Sequence, residues 1–518
     1  MAVNNSIYLV NPRSTVPDYY GAEILESVGA RSGVAIADLA TTTVAALAPE
    51  DFSVDICDEN IAAVDYSHPA RFIGITGKSS QAARMIGIAR RFRNQGRTVI
   101  VGGPMASLCP DVFRQECDVL VAGEIEDISG DLFDDLRRGV WREEYTGGKP
   151  ALDESPLPRW DLYPNHRAAA GAVQTSRGCP FNCEFCDVIQ YVGRKQRHKS
   201  NGRVVEELEA LKRHGYRRVF VADDNFTVYR RRSKALLSDI ADWNRSHGGE
   251  MSFHTQVSID AARDPQMLGL YRSAGFNEVF IGIETPNEES LRETGKVQNT
   301  NLDLAGEIGK FLDHGVAVVA GMIVGFDSDD HTIFDRQYEF AMESSVPVFT
   351  IGALVAPFST PLYARLQGEN RILSNDIQIV GAPWETNIEP LNMTRDELLS
   401  GIRRLANALY RPDAFLHRVL SMIGRLDPDD ALGGRGRKLR HIDVDFARVI
   451  RSISRLGPGE SDMLNRILRE IRRKPSARMQ AMSCLYRYAQ IRHVYDLGGL
   501  WNNASRQAGA SASVPKAG

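Results

Sequence analysis

The 518-residue chain has no surplus of positive charge. With 62 Lys and Arg against 66 Asp and Glu, the formal net charge is -4, which leaves no basic face to track a phosphate backbone and excludes nucleic acid as a first partner. No run approaches about 18 apolar residues, and the start, MAVNNSIYLVNPRS, has no basic segment leading into an apolar one. Neither a transmembrane segment nor export is expected, and the chain reads as cytoplasmic. Cysteine is sparse and odd in number, seven in all, which argues against a disulfide framework. Histidine is scarce at the start, where His68 is the only one before residue 150.

The length suggests about three domains at roughly 100 to 200 residues each. Over residues 1–147, short β-branched runs at 7–11, 53–57, 72–76, 98–103 and 118–123 alternate with helical windows. Between the third and fourth, Ala82, Met85, Ile86, Ala89 and Phe92 recur at helical spacing. That order predicts an α/β fold opening with a doubly wound, Rossmann-like parallel sheet. Residues 148–170 are rich in proline and polar groups, without a period, and read as a linker. From 171 to 384, six strand segments alternate with helices: AVQTS, then 217–226, 252–259, 278–285, 316–326 and 347–358. Two helical windows close on glycine, as a C-cap requires. The pattern predicts a partial (β/α)6 barrel whose active site lies at the C-terminal ends of the strands. Residues 385–505 read as a helical C-terminal domain, with Leu398, Ile402, Leu405, Leu409 and Phe415 as core, and 506–518 as a disordered tail.

Three of the seven cysteines crowd into RGCPFNCEFCD. Cys57, Cys109, Cys117 and Cys484 are scattered and read as small buried hydrophobes. Cys179, Cys183 and Cys186 are spaced C-x3-C-x2-C directly after the first barrel strand, in a loop at the barrel mouth. Thiolates at this density suit a soft metal centre. A [4Fe–4S] cluster normally takes four cysteines, one per iron, so three leave one iron open. The alternative is zinc, with His198 or a remote residue as fourth ligand, although zinc sites usually show a second C-x2-C pair that is absent here.

With Phe185 just before its last cysteine, the loop resembles the signature of the radical SAM superfamily. The resemblance implies that the open iron chelates the amino and carboxylate groups of S-adenosylmethionine, and that one electron from the cluster releases a 5′-deoxyadenosyl radical. It also implies cofactor contacts along the strands. Phe185 flanks the cofactor, Asp223 and Asp224 hold its methionine amino group, Glu284 binds the ribose hydroxyls, and Gly321 and Gly325 of GMIVG lie against adenine. APFSTPLY at 356–363 is similar to the family's sixth-strand segment. The basic run Gly193–Lys199 stays open between a solvated loop and a face for the cofactor carboxylate or an anionic substrate.

At the carboxyl edge of the first sheet, GITGKSS (74–80), VGGPMAS (101–107) and AGEIED (122–127) would cluster. G-K-S lacks the glycine spacing of a phosphate loop, which excludes nucleotide hydrolysis. The strand–GGP–helix–strand–GE pattern is similar to the cobalamin-binding domain that precedes the barrel in one radical SAM class. The resemblance assigns Thr76, Gly102, Gly103, Gly123 and Glu124 to cobalamin, with the glycines letting the corrin approach the backbone. His68, in DYSHPAR, has the wrong spacing for a lower cobalt ligand, so cobalamin would bind without an imidazole from this domain.

NIEPLNMTRDELLSGIRRLANALYRPDAFLHRV is similar to the C-terminal segment of the subgroup containing hopanoid C-2 methylases. Taken together, the resemblance implies a cobalamin-dependent radical SAM C-methyltransferase. A substrate hydrogen would be abstracted by the adenosyl radical, and a methyl group moved from methylcobalamin to an unactivated carbon of a small-molecule or lipid substrate. A one-electron donor such as flavodoxin or ferredoxin would be needed. Two alternatives remain: radical cyclisation, oxidation or rearrangement with the same cofactors, and a non-catalytic cobalamin or iron–sulfur sensor.

Overall fold

The computed structural model describes residues 5–501, apart from Ala22, Ile377, Gln378, Val380, Gly381, Pro383 and residues 427–440. The tail expected at 506–518 lies outside the described residues. The first sheet has six parallel strands in the order Ser53–Asp58, Ser6–Asn11, Phe72–Thr76, Thr98–Gly102, Val119–Ala122 and Glu144–Thr146. Helix Ala82–Arg93 buries Met85, Ile88, Ala89 and Phe92 on one face, and helix Ser129–Arg138 buries Leu132, Phe133 and Leu136 on the other. Both faces are covered, as near-continuous apolar strands require. The last strand, Glu144–Thr146, was not expected.

The second sheet curls into a half-barrel of seven parallel strands. They run Val348–Ala353, Ala317–Val324, Phe276–Glu284, Ser252–Val257, Arg218–Val221, Ala168–Val173 and Val34–Ile36. Five match the strands expected from the sequence, and a sixth, Ala168–Val173, begins inside the stretch read as linker and overlaps AVQTS only at Ala172 and Val173. The seventh comes from the N-terminal stretch and pairs Val34 with Ala168 and Ile36 with Ala170. Its partner, AAAGAV, is buried throughout. Gly215 and Gly315 follow their helices at φ +87° and +78°, the left-handed turn that ends a helix.

Residues 148–167 form three short 3-10 turns and are pinned to both sheets. Leu152, Trp160 and Tyr163 are buried, and the Tyr163 hydroxyl donates to Asp58 Oδ2 at 2.7 Å. Beyond the barrel, helix Arg395–Leu409 starts at a capping box between Thr394 and Glu397 and buries Leu398, Ile402, Leu405 and Leu409. The final helix, Arg478–Leu497, packs on the last barrel strand and on helix Glu23–Ser27. It sends Ser483 and Arg487 to Glu278, on the strand Phe276–Glu284. Among the described residues no helix is long and apolar enough to cross a membrane.

Candidate functional site

The chain leaves the first barrel strand through Thr175 and Ser176. Both hydroxyls and both backbone N–H groups donate to the Asp223 carboxylate at 2.6 to 3.0 Å. Asp223 is buried, so these charge-assisted bonds fix the base of the cysteine loop. Gly178 follows at φ +102°, where an added Cβ would lie 2.7 Å from the Lys195 carbonyl oxygen, and only glycine fits. The Gly178 N–H donates to Asp224 Oδ2 at 2.7 Å, and burial pushes the Asp224 carboxyl up to about 6.

All seven cysteines are free thiols; Cys183 is buried and Cys179 and Cys186 are half-buried. Cys183 couples electrostatically to both of the others. Burial raises the Cys179 thiol and pushes Cys186 up to about 11, so a metal must displace protons here. The turn Thr294–Gln298 adds two groups. Burial opposes the charge of Lys296, but Glu284 and the thiols of Cys183 and Cys186 outweigh it and raise its pKa. Gln298 Nε2 donates to Cys183 Sγ at 3.8 Å.

Three coupled thiols, a fixed ammonium and an amide donor to sulfur fit a [4Fe–4S] cluster, which spreads its ligands over several irons. Among the described residues no three His, Cys, Asp or Glu side chains are gathered about a single ion. His198, the alternative zinc ligand, meets the Tyr229 ring edge-on at 5.3 Å, and burial with Arg232 nearby pushes it down to about 4.

Phe185 packs on Phe326 at 6.0 Å and lines a cavity of ≈ 270 Å³ with Tyr19, Ile323, Gly352 and Val355. A mainly apolar hollow framed by strand-end backbone fits an adenosyl group. Glu284 ends its strand at φ +65°, a conformation that costs a non-glycine residue about 1–3 kcal/mol, and its Oε1 accepts from Lys296 Nζ at 2.6 Å. The strained backbone and the ion pair aim this carboxylate at the loop, where ribose hydroxyls would find an acceptor. Gly321 makes room for the Phe280 ring, 2.9 Å from where its Cβ would be, and the Gly325 N–H donates to Asp329 Oδ2 at 3.0 Å. The Asp223 oxygens accept from Thr175 and Ser176, so this carboxylate positions the loop, and Asp224 beside it is the less engaged of the two.

Thr76, Gly102, Gly103 and Gly123 meet at the carboxyl edge of the first sheet, each half-buried. Gly103 has φ +91°, and a Cβ there would collide with Thr76 Oγ1, so its glycine serves the protein's own packing. Helix Pro104–Leu108 packs on helix Val188–Val192, which follows the cysteine loop, so this partly open edge faces the barrel mouth and fits a corrin by position. Glu124 has partners within the protein. It is buried, and its carboxylate is bound by Arg177 at 2.7 Å and by Arg197. Arg177 also reaches Glu126 at 2.7 Å and donates from Nε to Gln174 at 2.7 Å. Glu124 therefore ties the first sheet to the cysteine loop. His68 stacks on Tyr8 at 4.1 Å and lies 3.5 Å from Asp55, toward the amino ends of the strands.

Most of the basic run is internal. The Gln196 side chain donates to the Asn225 carbonyl at 2.9 Å and Lys199 pairs with Glu207, leaving Arg194 and Lys195 exposed. Arg177, Lys296 and Gln298 escaped the sequence reading. Only the position of Arg177, two residues before Cys179, carried a signal.

A family model described as Radical SAM superfamily matches residues 173–335, and one described as a domain of unknown function (DUF4070) matches 360–494. An uncharacterized methyltransferase of Synechocystis sp. is 35% identical over 414 residues, covering 78% of this chain and 76% of its own. The hopanoid C-2 methylase of Rhodopseudomonas palustris is 30% identical over 383 residues, covering 72% and 71%. An anaerobic magnesium-protoporphyrin IX monomethyl ester cyclase of Cereibacter sphaeroides is 23% identical over 327 residues, covering 58% and 52%. Among solved structures, the radical S-adenosylmethionine methyltransferase TsrM from Kitasatospora setae, with cobalamin and a [4Fe–4S] cluster bound, superposes with a TM-score of 0.59 at 14% identity. The match covers 92% of this chain and 100% of that one, a likeness of fold.

Proposed function

The chain belongs to the radical SAM superfamily, and on that footing we propose that it is a cobalamin-dependent C-methyltransferase acting on an unactivated carbon of a small-molecule or lipid substrate in the cytoplasm. When bound, the cluster with S-adenosylmethionine supplies a hydrogen-abstracting radical, and the corrin supplies the methyl group. The chain's own residues hold and orient. Cys179, Cys183 and Cys186 would carry the cluster, with Lys296 offsetting thiolate charge. Asp224 would hold the cofactor's ammonium, Glu284 its ribose, and the hollow beside Phe185 its base. Thr76, Gly102, Gly103 and Gly123 would border the corrin. No side chain need move a proton.

One observation carries this reading. The half-buried Arg177, next to the cysteine loop, is clasped by Glu124 and Glu126 from the edge of the first sheet, which supports two cofactor edges held against each other. Such fixed placement is what a reaction across two cofactors demands. The hopanoid methylase relative supports a lipid substrate. The cyclase relative supports a second reading, radical cyclisation or oxidation with the same cofactors.

Anaerobic reconstitution with iron, sulfide and hydroxocobalamin separates them. Incubated with S-adenosylmethionine, a reductant and polycyclic-lipid or metabolite extracts, a methyltransferase yields S-adenosylhomocysteine and 5′-deoxyadenosine together. Deoxyadenosine alone would favour the second reading. Cys179→Ala, Cys183→Ala and Cys186→Ala should each lose iron and both products, and retention of wild-type iron by all three would remove the basis of the proposal.

A further inference from the structure

Resting on the radical SAM reading only for the cluster itself, the question is where its electron comes in. Pro180, Phe181 and Asn182 join Cys179 to Cys183 along the outside of the loop, with Asn182 exposed. On one flank Arg194 Nη2 donates to the Pro180 carbonyl at 2.8 Å, and the Cys179 N–H donates to the Gly193 carbonyl at 3.3 Å. Arg194 and Lys195 are exposed, and among the described residues neither is paired with a carboxylate. Their neighbours Arg197 and Lys199 both are. On the other flank, the Glu184 N–H donates to the Thr294 carbonyl at 2.9 Å. Val297 stands 61% exposed there, between Lys296 and Gln298, whose side chains turn inward to the thiols. Glu184, the loop's outer carboxylate, is neutralised by Arg365 at 2.7 Å.

We propose that this face, Pro180–Asn182 with Arg194, Lys195 and Val297, docks an acidic one-electron donor protein carrying a flavin or an iron–sulfur centre. One electron leaves the reduced donor and enters the oxidised cluster. The donor is oxidised by one, the cluster is reduced by one, and no bond or proton moves. Redox encounters bury little surface, typically under about 1,200 Å², and gain their rate from charge steering. A small apolar contact beside two cations without carboxylate partners, on the segment that joins Cys179 to Cys183, meets both conditions.

The test mixes the full-length reconstituted holoprotein with reduced flavodoxin in a stopped-flow instrument and follows bleaching of the cluster absorbance, with dithionite as control. Lys195→Glu, whose parent side chain makes no bond within the protein, and the double variant Arg194→Glu with Lys195→Glu should each slow reduction by flavodoxin, the double variant about tenfold at low ionic strength. The wild-type rate should fall as salt rises, while dithionite reduces all three alike. A flavodoxin rate indifferent to both charge reversals, or to salt, overturns the docking face. The readout is electron uptake and needs no turnover. A cluster that reduces as expected but never cleaves S-adenosylmethionine would therefore fell the proposed function and leave this face standing.

Discussion

His254 lies on the strand Ser252–Val257, stacked on Phe220 at 5.0 Å. Burial pushes its imidazole down to about 4. An unfolded histidine takes up a proton below its ordinary 6.5, while the folded one stays neutral to about 4, so the unfolded state holds more protons in between. Stability therefore falls as pH drops through that window, by up to about 3 kcal/mol at its lower end. His254→Gln should flatten the dependence, read as urea midpoints at pH 7 and pH 5, and an unchanged slope would assign the acid sensitivity elsewhere. Among single residues, legibility followed sequence distance. The three cysteines and Phe185 sit within one loop, so spacing and resemblance to the radical SAM signature were enough to single them out. Gln298 meets Cys183 across 115 positions and Arg177 meets Glu124 across 53, and neither pairing leaves a local pattern. The pairing of Glu124 with Arg177 and Arg197 went unseen for the same reason. A glutamate after a strand-end glycine looks the same whether it faces a ligand or a distant guanidinium.

Besides its packing on the last barrel strand, the helix Arg478–Leu497 holds the barrel with an ion pair. Arg487 meets Glu278 on the strand Phe276–Glu284, and both side chains are less than a fifth exposed. Arg487→Met should leave that carboxylate with the Ser483 hydroxyl but no cation and cost about 3 kcal/mol, seen as an earlier urea transition, whereas a shift within about 0.5 kcal/mol would mean solvent already screens the pair. Elements were legible in proportion to their length. Strands of four to nine residues with β-branched runs were found near their true bounds. Val34–Ile36 and Glu144–Thr146 were not, since three residues hold too little of a two-residue period to stand out. The stretch 148–167 lacks any period yet is fixed by Trp160 and Tyr163, because large aromatic side chains can anchor irregular backbone without regular structure.

Across the whole molecule, the N-terminal sheet and the half-barrel meet at Arg177, with Glu124 and Glu126 on one side and the cysteine loop on the other. Arg177→Met would take the cation from Glu126, leave Glu124 to Arg197 and loosen the loop. After reconstitution the iron-to-cobalt ratio should fall, measured by elemental analysis, because the thiols lose their support while the edge at Thr76 and Gly102 does not. An unchanged ratio would show that Asp223 and Asp224 hold the loop by themselves. The two sheets are also stitched together farther back, where Val34–Ile36 runs in the second sheet beside Ala168–Val173. A chain cut at residue 148 would leave that apolar strand bare along one edge, and a bare edge recruits other strands. The first module cannot be shed without spoiling the second.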